Sequence, residues 1–135
     1  MKTWKIGVAA AGAMGAALLG ISTLLAQQPG FKRTELQKHD LGTPRGEVVQ
    51  VRAEFEPGGA VGKHTHPGEE VSYILEGSIE LEVDGKTRTV EAGKPFFIPA
   101  GTVHAAKNNG KGTTKVLSMY IVEKGKPLAT MMAAK

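Results

Sequence analysis

The chain has 135 residues, no cysteine and a formal net charge of +4. Its length suits one domain with a hydrophobic core and is short for two ordinary domains. The lack of cysteine excludes disulfides, thiolate metal sites and cysteine nucleophiles. The charged residues are scattered, without a basic stripe or interleaved aromatic residues, so nucleic-acid binding is not expected. Any chemistry must come from histidine, carboxylate or hydroxyl groups.

The first 26 residues have the layout of a secretory signal. A short basic start, Met1 to Lys5, precedes an uncharged apolar stretch from Ile6 to Leu25. We expect residues 1–26 to be a cleaved signal peptide, which makes the mature protein periplasmic or secreted. The apolar stretch of 20 residues is also about long enough to span a bilayer. A retained anchor in the inner membrane, with the domain facing the periplasm, is therefore the alternative.

Residues 27–46 are polar and interrupted by turn formers, so we predict a linker and a lead-in strand. From Glu47 onward, apolar and polar residues alternate, as in strands with one buried face, and the same alternation recurs further along the chain. Asp84-Gly85 separates two such runs and favours a tight hairpin. We predict an all-β barrel over residues 47–124. The small, polar segment 125–135 is predicted to be a flexible tail.

Three of the four histidines lie in two compact clusters. The first cluster, residues 58–77, contains His64, His66 and Glu70. Residues two apart on a strand lie about 7 Å apart and point to the same face. The imidazoles of His64 and His66 can therefore face one common point. The carboxylate can return to the same point on a neighbouring strand after the turn at Pro67-Gly68. This cluster therefore offers two nitrogen ligands and one oxygen ligand.

The second cluster, residues 93–108, contains His104 directly after a turn set by Pro99 and Gly101. The two clusters together supply three imidazoles and one carboxylate. On a six-coordinate ion these four donors leave two positions open for substrate, water or dioxygen. An open position is what distinguishes a reactive metal site from a structural one.

The two clusters resemble the paired motifs of the cupin family, G-x5-H-x-H-x3-E-x6-G and G-x5-P-x-G-x2-H-x3-N. Every fixed position is occupied: Gly58, His64, His66, Glu70, Gly77, Gly93, Pro99, Gly101, His104 and Asn108. The 15 residues between the motifs match the short hairpin of small bacterial cupins. The resemblance implies a single-domain antiparallel jelly-roll barrel of the RmlC-like superfamily. It also implies a homodimer, and structural roles for the motif glycines and for the final asparagine.

By the same resemblance, one divalent transition metal ion, Fe, Mn, Ni or Zn, is held by four side chains: His64, His66, Glu70 and His104. Strand alternation places Glu69 on the opposite face, in solvent. His39 lies in the polar lead-in and is expected at the surface. Tyr73 is a candidate catalytic residue, because a phenol near a metal can act as acid, base or hydrogen-bond donor. The other apolar candidates for the pocket are expected to pack in the core: Phe96, Phe97, Met119 and Tyr120.

Cupins include dioxygenases, isomerases, decarboxylases, lyases and non-enzymatic binders, so the family resemblance leaves the activity open. We expect a metal-dependent, dioxygenase-like oxidoreductase that acts on a small oxygenated organic molecule such as a phenol or flavonoid. One alternative is an exported binding module, for a small molecule or a metal, without turnover. Another is an isomerase or lyase that uses the metal as a Lewis acid without redox change.

Overall fold

The computed structural model describes residues 28–133, so the predicted signal segment lies outside the described residues. This part of the chain forms ten strands and no helix, and therefore contains no helix that could cross a membrane. The strands are β1 (Phe31–Asp40), β2 (Gly46–Phe55), β3 (Ala60–Thr65), β4 (Gly68–Glu76), β5 (Ser78–Val83), β6 (Lys86–Glu91), β7 (Pro95–Ile98), β8 (His104–Lys107), β9 (Thr114–Glu123) and β10 (Thr130–Met131). The predicted all-β class is confirmed.

The strands form two five-stranded sheets, in the orders β1-β2-β9-β4-β7 and β10-β3-β8-β5-β6. Every strand pair is antiparallel. From β6 onward, each successive strand belongs to the other sheet, so the chain repeatedly crosses between the two layers. This arrangement is the jelly roll that the motif resemblance implied.

The two sheets pack through alternating apolar side chains on their inner faces. In β2, every second residue from Glu47 to Phe55 is buried, and the same alternation runs along β9. The larger core cluster includes Ile74, Ile79 and Leu81, each at most 1% exposed. A smaller cluster joins β2 to β9 through valines and Tyr120. Burial of these side chains stabilises the sandwich and fixes which residues face its interior.

The hairpin predicted at Asp84-Gly85 is present between β5 and β6. The two turn residues have φ values of 49° and 76°, and Val83 pairs with Lys86 across the turn. A two-residue turn with positive φ at both positions matches the twist of antiparallel strands. The hairpin therefore connects β6, an edge strand of the second sheet, to its neighbour β5, as the dipeptide indicated.

Both ends of the domain extend beyond the predicted barrel boundaries of 47 and 124. Strand β1 pairs with β2 from Phe31 opposite Phe55 to Asp40 opposite Glu47, so it belongs to the first sheet. Strand β10 pairs with β3, where the sequence predicted a flexible tail. Strand β1 is mostly exposed to solvent and β10 has only two residues. Neither sequence therefore shows the alternation of apolar and polar residues by which a central strand is recognised.

Asn108 ties together the loops that flank the two motifs. Its side chain is 0% exposed. The Nδ2 group donates to the Phe55 carbonyl at 2.9 Å and to the Gly112 carbonyl at 2.7 Å, while Oδ1 accepts from the Gly110 N–H at 2.8 Å. The structural role implied for this asparagine is thus explained by three hydrogen bonds of its buried side chain, which join its own loop to the end of β2.

We expect Asn108→Ala to lower the free energy of unfolding by about 2–3 kcal/mol, because it leaves buried backbone groups without partners. The matched control is Asn109→Ala, since that neighbouring side chain is exposed and bonds only to Glu80. The control should change the stability by less than about 0.5 kcal/mol. Urea unfolding of both variants measures the difference, and equal losses would contradict the assigned role.

Candidate metal centre

Three histidines converge inside the sandwich. His64, His66 and His104 are each at most 5% exposed, and their ring centroids lie 4.2–4.9 Å apart. One ring nitrogen from each lies within 4.8 Å of the others. The structure thus brings together all three imidazoles that the two sequence clusters supplied.

The backbone around the two motifs produces this convergence. His64 on β3 is in direct register with His104 on β8. A bulge between Val61 and His64 resets the alternation of β3, so that both His64 and His66 turn inward. The Gly101 N–H donates to the His66 carbonyl at 3.1 Å, which joins the turn of the second motif to the end of the first.

Each imidazole is oriented by a hydrogen bond from its Nδ1 atom to a backbone carbonyl. His64 bonds to Gly62 at 2.7 Å and His104 to Thr102 at 2.9 Å. His66 bonds to the carbonyl of Leu128 at 2.6 Å. A carbonyl only accepts, so each Nδ1 donates, and in the neutral imidazole the Nε2 atom then carries the lone pair. This is the arrangement in which histidines bind metal ions.

Glu70, on β4, completes the cluster with a carboxylate that is 5% exposed. Its Oε2 atom lies 3.2 Å from Nε2 of His66 and 3.3 Å from Nε2 of His104. Its Oε1 atom accepts from the hydroxyls of Ser72 at 2.7 Å and Ser118 at 3.2 Å. Burial raises the pKa of Glu70, but the neighbouring His104, His66 and Ser72 groups outweigh it, so the net shift is downward. The side chain is therefore a fixed carboxylate anion.

The donor set fits a divalent cation. The Nε2 atoms of His66 and His104 are buried and have no hydrogen-bond partner within the described residues. With neutral imidazoles, each Nε2 faces the carboxylate of Glu70 acceptor to acceptor, so the contact calls for a positive charge between them, either a proton or a metal cation. Three imidazole nitrogens and one carboxylate oxygen suit Fe, Mn, Ni or Zn. The structure thus groups the three histidines, and Glu70 contacts two of them, His66 and His104. The ion itself remains a prediction.

The cluster lines a cavity of about 40 Å³. That space holds about three waters. Its wall includes side chains that sequence reasoning did not single out as polar site residues, namely Arg33, Ser118 and Tyr120. Ser72, which holds Glu70, was also missed. Its position two residues after Glu70 on the same strand was the signal that could have revealed it.

The prediction of Tyr73 as a catalytic residue is corrected by the structure. Alternation along β4 points Glu70, Ser72 and Ile74 inward, so Tyr73 points outward and is 45% exposed. Phe97 and Met119, expected in the core, also lie on this outer face, at 53% and 38% exposure. Three other residues have the burial that the sequence predicted: Phe96 is buried, and Glu69 and His39 are exposed.

The tyrosine of the cavity is Tyr120, on β9. It stands opposite Glu70 in the sheet register, and its ring centroid lies 4.6 Å from that of His66. Burial raises the pKa of the Tyr120 hydroxyl, and the charge of Glu70 raises it further. The phenol therefore remains protonated and can act as a hydrogen-bond donor rather than as a base.

The stability of the metal-free protein should fall as the pH is lowered from about 6.5 to about 4. Burial, followed by the charge of His104, lowers the pKa of His64 from 6.5 to about 4. In that interval the unfolded chain binds a proton at this residue and the folded chain does not, so protons favour unfolding. The loss attributable to this side chain is about 3 kcal/mol, measured by urea unfolding at a series of pH values.

The variant His64→Asn should remove that part of the pH dependence, because it has no group to protonate. His39→Asn is the matched control, since His39 is exposed and outside the cluster, and its pH profile should follow that of the unmodified protein. Parallel profiles for His64→Asn and the unmodified protein would contradict the assignment.

Comparison with known proteins agrees with this geometry. The sequence profile of the family described as "Cupin domain" matches residues 51–120, which contain all four residues of the cluster. The germin-like protein subfamily 2 member 2 of Arabidopsis thaliana is 43% identical over 79 residues, which cover 54% of this chain and 36% of that protein. The chain thus spans about a third of the length of this curated relative.

Solved structures with the same fold include two enzymes. An oxalate oxidase superposes with a TM-score of 0.63 and 26% identity, covering 89% of this chain and 66% of that one. The polyketide cyclase RemF from Streptomyces resistomycificus superposes with a TM-score of 0.59 and 28% identity, covering 81% and 78%. The family match extends over half of the sequence and includes the histidine cluster. The chain is therefore a member of the cupin family.

Proposed function

We propose that this cupin is a metal-dependent, dioxygenase-like oxidoreductase that acts on a small oxygenated organic molecule. The observation that carries the proposal is the grouping of three imidazoles with the carboxylate of Glu70, which contacts two of them, in the wall of a cavity. A redox-active ion such as Fe or Mn held there would supply a Lewis acid and an electron carrier for dioxygen chemistry. The similarity to an oxalate oxidase supports an oxidative reaction.

The protein's own groups prepare this site in three ways. The carbonyls of Gly62, Leu128 and Thr102 fix the imidazole tautomers. Ser72 and Ser118 hold the Oε1 atom of the carboxylate, which leaves Oε2 directed at the histidines. These partners act before any substrate arrives, so little reorganisation is needed when it binds.

The apolar wall of the cavity excludes water from the reacting molecule. Phe31, Phe55 and Leu81 are among the buried residues that line it. The protonated phenol of Tyr120 can donate a hydrogen bond to an oxygen of the substrate, beside the histidine cluster. The cavity has space for about three waters, which favours a substrate with few atoms among the small oxygenated molecules that the sequence left open.

We also propose that the domain works outside the cytoplasm, in the periplasm or in the surrounding medium. The support for this proposal is the basic and apolar composition of residues 1–26. An oxidoreductase without cysteine suits an oxidising compartment, because no thiol is present to be oxidised. The intact mass of the protein from its native host distinguishes a cleaved signal from a retained anchor.

The test combines metal content with oxygen uptake. The unmodified protein should bind about one transition metal ion per chain, and the metal-loaded form should consume dioxygen with a small hydroxylated substrate. His66→Ala and His104→Ala should each weaken metal binding more than Ser72→Ala does. The serine supports a ligand without being one, and losses of that kind typically weaken metal affinity about 10–100-fold.

The control is His39→Ala, which removes an exposed histidine on β1 and should leave metal content and oxygen uptake unchanged. Metal bound equally well by the His66 and His104 variants would overturn the proposed site. A protein that binds metal but takes up no dioxygen with any small phenol or hydroxy compound would overturn the oxidative reaction and leave a binding or redox-neutral role.

A further inference from the structure

We infer that Arg33 is a substrate-anchoring residue and that the cavity accepts a small organic carboxylate, whose charged end binds the guanidinium while its other end faces the histidine cluster. The inference rests on the proposed function, since it names a substrate class for the same cavity. It is supported by the position of Arg33 in a cavity wall that is otherwise largely apolar, and by the lack of an ion-pair partner for this side chain among the described residues.

The fold aims the Arg33 side chain at the cavity. Arg33 lies on β1 opposite Ala53 of β2, a buried residue on the inner face of the first sheet. The preceding inward residue, Phe31, packs on Phe55 with ring centroids 4.8 Å apart. The small Ala53 side chain leaves room for the long arginine, which lines the same cavity as His64 and Glu70.

Within residues 28–133, the guanidinium of Arg33 has no intramolecular partner. No carboxylate oxygen lies within the 4.0 Å that defines an ion pair. Glu70, the acid in the same cavity, is instead held by His66, His104 and the two serines. An arginine that served as a counter-ion for the protein would contact a carboxylate. This one is half-buried and available to an external anion.

A partly buried guanidinium without a partner is unfavourable unless an anion or water satisfies its donors. Its planar donors match the two oxygens of a carboxylate, which they bind with paired charge-assisted hydrogen bonds. Among the described residues, Arg33 is the one lysine or arginine that lines this cavity. The wall that contains Arg33 therefore attracts a negatively charged group of the ligand. Its charge also reaches the Tyr120 phenol, as the electrostatic influence on that hydroxyl indicates.

The dimensions agree with a ligand of few atoms. Arg33 lies two strands away from β9, which carries Ser118 and Tyr120. Two strand spacings correspond to about 10 Å, and an arginine side chain spans much of that distance. The cavity of about 40 Å³ holds about three waters, which favours an acid of two or three carbons.

The experiment measures binding of glycolate to the metal-loaded full-length protein by calorimetry, with ethylene glycol as the uncharged compound of similar size. Glycolate should bind and ethylene glycol should bind at least about tenfold more weakly. Arg33→Gln should weaken glycolate binding about 10–100-fold, as for loss of a charged hydrogen-bonded pair, while leaving ethylene glycol binding and metal content unchanged. Arg33→Lys, which keeps the charge but not the planar fork, should give an intermediate affinity.

The matched control is Arg52→Gln. Arg52 lies on the adjacent strand, faces the outer side of the sheet and is near Glu54 at 3.7 Å, so its loss should not alter glycolate binding. Thermal unfolding shows whether each variant folds, and Arg33→Lys provides the comparison if Arg33→Gln does not fold.

The outcomes separate the two proposals. If the unmodified protein holds no metal, the proposed function fails. If it holds metal but glycolate binds no better than ethylene glycol, or binds equally to the folded Arg33 variants, the anchoring role fails alone. Inorganic phosphate is the remaining probe, and tighter binding of phosphate than of glycolate would overturn the carboxylate as the ligand class.

Discussion

The site depends on one electrostatic constraint: a buried carboxylate faces two imidazole nitrogens whose rings direct their Nδ1 protons elsewhere. Glu70 Oε2 is 3.2–3.3 Å from the Nε2 atoms of His66 and His104. The Nδ1 atoms of both rings donate to backbone carbonyls on the other side. With neutral imidazoles, this contact between acceptors is unfavourable in a medium of low polarity, and a positive charge between them, a proton or a metal cation, converts it into attraction. The surrounding strands hold these groups in one place.

The residues of the site and their hydrogen-bond partners come from both sheets, so the site depends on the whole sandwich. His64 and His104 come from the second sheet, whereas Glu70 and its two serines come from the first. The carbonyl that orients His66 comes from Leu128, 62 positions along the chain and just before β10. A short C-terminal segment therefore takes part in the site through its backbone. Unfolding of that segment would release one imidazole from its fixed tautomer.

A fold shared by many proteins acquires its function from the side chains placed around its site. Here the added groups are Tyr120, which remains a protonated donor, and Arg33, which brings an unpaired positive charge to an apolar wall. The cavity between them is small. A compact ligand with an acidic end is consistent with all three features, whereas an uncharged or bulky ligand would leave the arginine without a role.

The sequence alone determined the all-β class and the hairpin at Asp84-Gly85, because alternation and a turn dipeptide are local properties that a chain displays directly. It also predicted the opposite orientations of Glu69 and Glu70 for the same reason. The four residues of the cluster were predicted from the resemblance of their two segments to the cupin motifs. Tyr73 was placed at the site in error, although the alternation that separates those two glutamates also turns it outward. Tertiary structure alone decided that β1 and β10 belong to the sheets and that Leu128 and Arg33 contribute to the site. These contacts depend on strand pairing between distant segments, which no local pattern encodes.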